Sequence, residues 1–237
     1  MNREDYNTYD NELDTDIVDD TLFHENNYEY WRKKRINATL DYFGKDFFKN
    51  KSLLEIGGNH GYVANYFSSI GSKCTVSDSY EIHNKIAKEK FPHLTVVNHD
   101  ADSIEWPYNN EKFDIIIHWG LLYHLENPNT HLNEICKRCD TLVLETDVID
   151  STKSFYTNVN EDYQWNEGAW GSAYNKIGSK PSIGLIENIL KKNKFKYDVP
   201  VNLNSVNFGS WVYDWPIKND GNFKPGQRMM WFAYKDK

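Results

Sequence analysis

The sequence predicts an α/β fold, an open doubly wound αβα sandwich. Three observations carry that reading. Short apolar runs alternate with helix-period segments from residue 52 to residue 148. The run FDIIIHW at 113–119 is apolar on nearly every position, as a parallel strand covered on both faces must be. The first strand–helix turn, in SLLEIGGNHG at 52–61, places three glycines within five positions. With 237 residues, 39% hydrophobic and 15% aromatic, the chain can build one large core and is short for two.

The elements follow in order. Residues 1–26 are an acidic N-terminal tail, and the first twenty, MNREDYNTYDNELDTDIVDD, offer few apolar anchors to hold them in place. From Asn27 to Phe43, Tyr30, Trp31, Ile36, Leu40 and Phe43 recur at helical intervals. SLLEIGG (52–58) reads as a strand, and HGYVANYFSSIG (60–71) as a helix with Gly71 placed as its C-terminal cap. CTVSD (74–78) is a strand, YEIHNKIAKEKF (80–91) a helix stopped by Pro92, and LTVVNHD (94–100) a strand. FDIIIHWG (113–120), the helix NPNTHLNEICKRC (127–139) and TLVLETDV (141–148) continue the rhythm, which implies parallel strands joined by right-handed crossovers. Residues 150–180 break it with Asn, Gly and aromatics. PSIGLIENILKKNKF (181–195) restores a helix, with Pro181 and Ser182 at its start, and FKYDVPV (195–201) and RMMWFAYK (228–235) are strands. We expect one domain over 27–237 with substrate-side insertions at 150–180 and 202–227, the latter holding Phe208, Trp211, Tyr213 and Trp215.

Charge and cysteine usage narrow the function. The net charge of −8 repels polyphosphate, so a nucleic-acid partner is not expected. The basic run Arg32-Lys33-Lys34-Arg35 reads as a solvated helix face. No apolar run approaches the roughly 20 residues of a membrane span, and the first residues are too polar for a signal peptide. Three cysteines, Cys74, Cys136 and Cys139, argue for a reducing, cytoplasmic setting. Cys136 and Cys139 have CxxC spacing but no second ligand pair, so they read as structural and no metal is expected.

In an open parallel sheet a ligand binds beyond the carboxyl ends of the strands, where strand order reverses. Gly57, Gly58 and Gly61 lie in that turn and let the backbone approach a ligand closely. A dinucleotide wants G-x-G-x-x-G, a spacing this turn lacks, and its pyrophosphate would be repelled by Glu55. S-adenosylmethionine carries an ammonium, a sulfonium and a ribose diol but no phosphate, and a carboxylate suits its cationic part. Asp78 ends the second strand, placed to accept both ribose hydroxyl protons, and Asp100-Ala101-Asp102 ends the third, where a carboxylate can accept the adenine amino proton.

Taken together, LLEIGGNHGY, VSDSYE, VVNHDADSIEW and FDIIIHWGLLYHLENP resemble the class I S-adenosylmethionine-dependent methyltransferases over roughly residues 50–150, with 195–235 compatible. That resemblance implies a Rossmann-like, mostly parallel seven-stranded sheet with an antiparallel last strand. It also implies a cofactor site lined by Glu55, Gly57, Gly58, Asn59, Gly61, Asp78, Ser79, Asp100 and Ala101, with Trp119 and Gly120 under the methionine part. The family's middle glycine is Asn59 here, a residue that tolerates left-handed backbone. WGLLYHLENP and LVLETDVID look most like the bacterial enzymes that alkylate the tRNA wobble uridine, and they also occur in glycan and small-molecule methyltransferases.

A sulfonium methyl is already activated, so transfer chiefly needs alignment, worth roughly 7–11 kcal/mol at best. A hydroxyl acceptor also benefits from a general base, worth about 10² to 10⁴ in rate. His124 is the first candidate; Glu145 and Asp147, two apart on one strand, share a face and could orient an acceptor. His118, inside an apolar strand, reads as a core residue. Tyr123, Tyr163, Trp165, Trp170 and Arg228 are candidate acceptor contacts, and Trp31 and Arg35 share one helix face that could close over the cofactor. The expected activity is methyl transfer to a hydroxyl, with an amine second, of a small polar acceptor such as a sugar or glycan precursor. The alternatives are a tRNA wobble-uridine alkyltransferase, a nicotinamide oxidoreductase and a non-catalytic binding protein.

Overall fold

The computed structural model describes residues 25–103, 105–109, 111–160, 176–199 and 211–236, with side chains from Trp31 onward. The acidic tail to residue 24 and the aromatic candidates Tyr163, Trp165, Trp170, Tyr174 and Phe208 lie outside those residues.

Helix α1 (Glu25–Phe43) precedes a single 3-10 turn and strand β1 (Ser52–Ile56). Helix α2 (Tyr62–Ser69), β2 (Lys73–Asp78), α3 (Glu81–Lys90), β3 (Thr95–Asn98), β4 (Phe113–Trp119), α4 (Pro128–Arg138) and β5 (Cys139–Ile149) complete the alternating part. A hairpin of β6 (Tyr156–Asn160) and β7 (Ile177–Pro181) follows, then α5 (Ile183–Lys192), β8 (Lys196–Asp198) and β9 (Phe223–Tyr234). Among the described residues seven strands form one sheet in the order β3-β2-β1-β4-β5-β9-β8. All pairs are parallel except β9, which runs antiparallel to both β5 and β8. Strand order reverses between β1 and β4, so a crevice opens beyond Ile56 and Trp119.

Side-chain parity sorts each strand into two cores. Leu53, Val76, Ile115, Ile117, Val143, Met230 and Phe232 pack on one face beneath α1, α2 and α3. Leu54, Ile56, Ile116, Leu142, Leu144 and Trp231 pack on the other against α4 and α5. The same parity puts Glu55, Trp119, Glu145, Asp147 and Arg228 on the α1 face, at the strand ends that border the crevice.

Local chemistry sets the element ends. Pro128 opens α4, where a missing N–H costs nothing. Ser182 caps α5, its hydroxyl accepting the Leu185 N–H at 3.1 Å. A Cβ on Gly184 would stand 2.1 Å from the Thr152 carbonyl oxygen, so glycine lets α5 lie directly on the 151–153 loop.

Two sequence expectations need correction here. The insertion at 150–180 contains the hairpin β6–β7, which hydrophobic alternation does not reveal because most of its positions are polar or exposed. The basic run on α1 is not a solvated face: Arg32, Lys33 and Arg35 are buried and Lys34 is half-buried. The Arg32 guanidinium lies 4.7 Å from the Tyr62 ring, so packing rather than water surrounds it.

Candidate functional site

The turn from β1 to α2 is a chain of left-handed residues: Gly57 at φ 68°, Asn59 at 52° and Gly61 at 80°. Asn59 takes the conformation expected of it. Gly58 has an ordinary φ but no spare room, since a Cβ there would lie 2.4 Å from Val76 Cγ2 and 2.8 Å from Glu55 Cδ. Glu55 turns its carboxylate into the first turn of α2, where Oε2 accepts the Ala64 N–H at 2.8 Å. Burial pushes its pKa up to about 8, against the pull of that N–H and of Arg32 and Arg35.

Asp78 fixes the turn from the next strand. Its Oδ2 accepts the Asn59 N–H at 3.0 Å, and its Oδ1 accepts the Tyr80 N–H at 2.9 Å and meets His83 Nδ1 at 3.1 Å. A carboxylate has about four acceptor positions, so these contacts leave room for one further donor. Ser79 is half-buried beside Asp78. Asp100 Oδ1 accepts the Asp102 N–H at 3.0 Å and closes a turn around the buried Ala101. Asp102 accepts the N–H groups of Glu126 and Asn127, tying this turn to the start of α4. A small cleft of about 30 Å³ opens against this scaffold. Glu55, Gly57, Gly58 and Asn59 line it together with Arg32, Arg35 and Trp119.

Beyond Gly120 (φ 67°) lies a second cluster, the part of the site nearest β5. Glu145 is fully buried and accepts from four groups. Tyr213 Oη donates to it at 2.9 Å, Arg35 Nη1 at 3.3 Å, Arg228 Nη2 at 3.2 Å, and Arg228 Nε makes a closer contact. Arg228 Nη1 reaches Asp147 at 2.7 Å. Burial would raise the Glu145 pKa, but the two guanidiniums outweigh it and hold the carboxyl below its usual range. Glu145 is thus a buried counter-ion rather than a group poised to take a proton, and Asp147 shares Arg228 with it. Trp31 Nε1 donates to Tyr213 Oη at 2.9 Å, and its ring stacks on Trp211 at 4.1 Å. A Cβ on Gly120 would meet Arg228 Nη2 at 3.5 Å and Arg35 Nη1 at 3.8 Å, ordinary contact distances, so it is the positive φ that favours glycine here.

His124 closes the 3-10 turn Leu122–His124, buried, with its ring 3.9 Å from that of Tyr123. Tyr123 also faces Arg228 and Lys180, each 4.9 Å from its ring centroid. His118 packs on the other face of the sheet, 2.9 Å from His131 Nε2, and burial lowers its pKa to about 4. It is the core residue expected. Cys136 and Cys139 are buried free thiols. Among the described residues no three His, Cys, Asp or Glu side chains converge as a metal site, and no helix is long and apolar enough to cross a membrane.

Sequence reasoning missed Arg32, His83 and Lys180. Arg35 carried a usable signal, since it lies one turn from Trp31 on the same face of α1. Tyr213 was placed only within the substrate-side insertion, and its partners left no mark because it sits in an irregular connector.

A sheet with this strand order, one antiparallel strand beside β5, and a glycine turn flanked by two acidic strand ends defines a class I S-adenosylmethionine-dependent methyltransferase. The chain belongs to the methyltransferase-domain family, which it matches over residues 28–198, and S-adenosylmethionine is its cofactor. No curated protein sequence matches it. Solved structures share its fold at low identity. The N-terminal domain of EvdMO1, crystallised in the presence of S-adenosylhomocysteine and D-fucose, superposes with a TM-score of 0.62 at 13% identity, covering 86% of this chain and 83% of that one. Magnesium protoporphyrin IX methyltransferase from Synechocystis PCC 6803 with bound S-adenosylhomocysteine gives 0.58 at 13% identity, over 92% and 90%. The plantazolicin methyltransferase BamL, in complex with a triazolic desmethylPZN analog and S-adenosylhomocysteine, gives 0.57 at 16% identity, over 90% and 88%.

Proposed function

We propose that this methyltransferase acts on a hydroxyl of a small polar acceptor, such as a sugar or glycan precursor, and that His124 is the general base. The cofactor supplies an activated methyl on its sulfonium; the chain holds it, aligns the acceptor and takes a proton. The glycine turn fits a ligand whose backbone contacts must be close, and Asp78 and Asp100 suit a cationic nucleoside without phosphates. In this reading the turn 57–61 holds the methionine part, Asp78 accepts one ribose hydroxyl with Ser79 alongside, and Asp100 with Ala101 meets the adenine. Trp119 and Gly120 separate that cleft from the acceptor side, which Tyr123 and Arg228 border.

The observation that carries the base assignment is the commitment of the β5 carboxylates. Arg228 and Arg35 together hold Glu145, and Arg228 also holds Asp147, which makes His124, beside Tyr123 and just past Gly120, our candidate base. The fold's likeness to a domain crystallised in the presence of D-fucose favours a sugar among small polar acceptors. An acidic chain, at −8, does not favour RNA.

The test is a panel of sugars, nucleotide sugars, phenols and amines incubated with S-adenosylmethionine and read by mass spectrometry. A methyl ether on a hydroxyl acceptor, lost by about 10² or more in rate in His124→Ala, is expected. Methylation confined to amines, with His124→Ala unaffected, would overturn the assignment. A steeply salt-dependent complex with tRNA would favour the wobble-uridine alternative instead.

A further inference from the structure

A second cavity opens at the amino ends of β4 and β5, the end of the sheet away from the cofactor crevice. Its volume is about 370 Å³, within the roughly 300–1,000 Å³ of small-molecule sites, whereas a packed interior leaves few voids larger than a water. Four rings line it: Tyr42 and Phe43 from the end of α1, Phe47 from the 3-10 turn, and Tyr234 from the end of β9. From Ile115, at this cavity, to Trp119, at the crevice, β4 runs about 13 Å. A ligand held here is therefore out of reach of the methyl group.

The rings are fixed by the protein itself. Phe43 stacks on Phe47 at 4.7 Å and Tyr42 on Phe232 at 4.4 Å, and the Tyr42 hydroxyl donates to Asp198. Yet Tyr42 stays 37% exposed, and Phe43 and Phe47 are only partly buried, so ring surface is left uncovered.

Four charged groups line the same cavity, and three are already engaged. Lys235 Nζ donates to the Cys136 and Cys139 carbonyls at 2.6 and 2.8 Å, at the negative end of α4. Lys51 Nζ lies 3.9 Å from Asp114 Oδ1, and Asp114 Oδ2 accepts the Ser52 N–H at 2.8 Å and its hydroxyl at 2.9 Å. The fourth, Asp140, is exposed at the start of β5, and among the described residues its carboxylate makes no hydrogen bond or ion pair. Aromatic faces carry the negative side of the ring quadrupole, so rings and a spare carboxylate together attract a cation.

We propose that this cavity is a second ligand site, separate from cofactor and methyl acceptor, and that it takes a small apolar organic cation, an aromatic ammonium. The rings cover the ligand's apolar body and Asp140 meets its charge. The proposal depends on neither the cofactor placement nor the choice of acceptor.

Tryptamine, tryptophol and indole-3-propionate share one ring system and end in an ammonium, a hydroxyl and a carboxylate. Each is titrated into the full-length protein and followed by protein NMR. Tryptamine should give saturable shifts at the amides of Phe47, Asp114 and Asp140, and none at the 57–61 turn. Tryptophol should bind several-fold more weakly, and indole-3-propionate more weakly still. Asp140→Asn, an exposed change, should bring tryptamine down to the affinity of tryptophol, and Phe47→Ala should weaken all three. No saturable shift at these amides, equal affinity for the three compounds, or tryptamine binding undiminished in Asp140→Asn overturns the proposal. Shifts at the same amides when the protein alone is diluted would show a second copy of the chain covering this face, and would overturn it too.

Discussion

Replacing Arg228 with methionine tests the charge balance beneath the acceptor side. Arg228 is 2% exposed and bonds Glu145 through Nε and Nη2 and Asp147 through Nη1. Methionine keeps much of the stem and removes the charge. Glu145 then retains Arg35 at 3.3 Å and Tyr213 at 2.9 Å, but Asp147 loses the guanidinium. Removing one partner of a buried pair costs about 3–5 kcal/mol, chiefly from the charge left behind. For a chain this long each kcal/mol moves Tm by about 2–4 °C, so the expected loss is roughly 6–20 °C. Urea unfolding at neutral pH measures the free energy directly. Adding Asp147→Asn should recover part of it, because the second change removes the stranded charge. The pH dependence has a definite sign. The Glu145 pKa is depressed in the folded protein, so the stability it contributes is present above the unfolded carboxyl value of about 4.3 and is lost as acid protonates the folded group. The gap between wild type and Arg228→Met should therefore narrow below about pH 4. A variant within about 1 kcal/mol of wild type at neutral pH, or a gap that stays constant in acid, would refute the argument that uncompensated charge sets the cost.

Glu55 predicts the opposite pH trend. Its folded pKa is near 8, so between about 4.5 and 8 the native state holds a proton that the unfolded state has lost, and stability falls as pH rises through that window, by up to about 1.4 kcal/mol per unit. Urea midpoints at several pH values should show that fall in the wild type and lose it in Glu55→Gln. Gly58→Ala pushes a methyl to 2.4 Å from Val76 Cγ2 and should cost about 1–3 kcal/mol; it should also weaken S-adenosylhomocysteine binding in titration, and unchanged stability would show that the turn can yield. His83→Ala frees an acceptor position on Asp78. The wild type should therefore lose affinity for only one of the two monodeoxyribose forms of S-adenosylhomocysteine, and the variant for both.

The chain's own arithmetic made much of the architecture readable. Parity along β5 placed Glu145 and Asp147 on one face, and the glycines after Glu55 pointed to a backbone approached by a ligand. What stayed hidden depends on contacts between residues far apart in sequence. Arg228 meets Glu145 across 83 positions and Tyr213 meets it across 68, and neither distance leaves a local pattern. Arg32 and Arg35 misled because charge counts assume exposure, whereas Tyr62, Trp31 and Trp119 supply aromatic faces that let guanidiniums be buried. The hairpin β6–β7 stayed hidden because Asn158 and its neighbours lack a buried face.

The position of β9 constrains how the chain assembles during synthesis. Of the seven strands it emerges last, yet it occupies an interior slot between β5 and β8. Among the described residues the short β8 pairs with β9 and with no other strand of the sheet, so that pairing waits until β9 arrives. Arg228 travels on that same strand, and at about 5–20 residues per second the nascent chain spends several seconds with Glu145 and Asp147 lacking it. A ribosome stalled before Phe223 would leave the five parallel strands with an open β5 edge, a template for pairing with another chain.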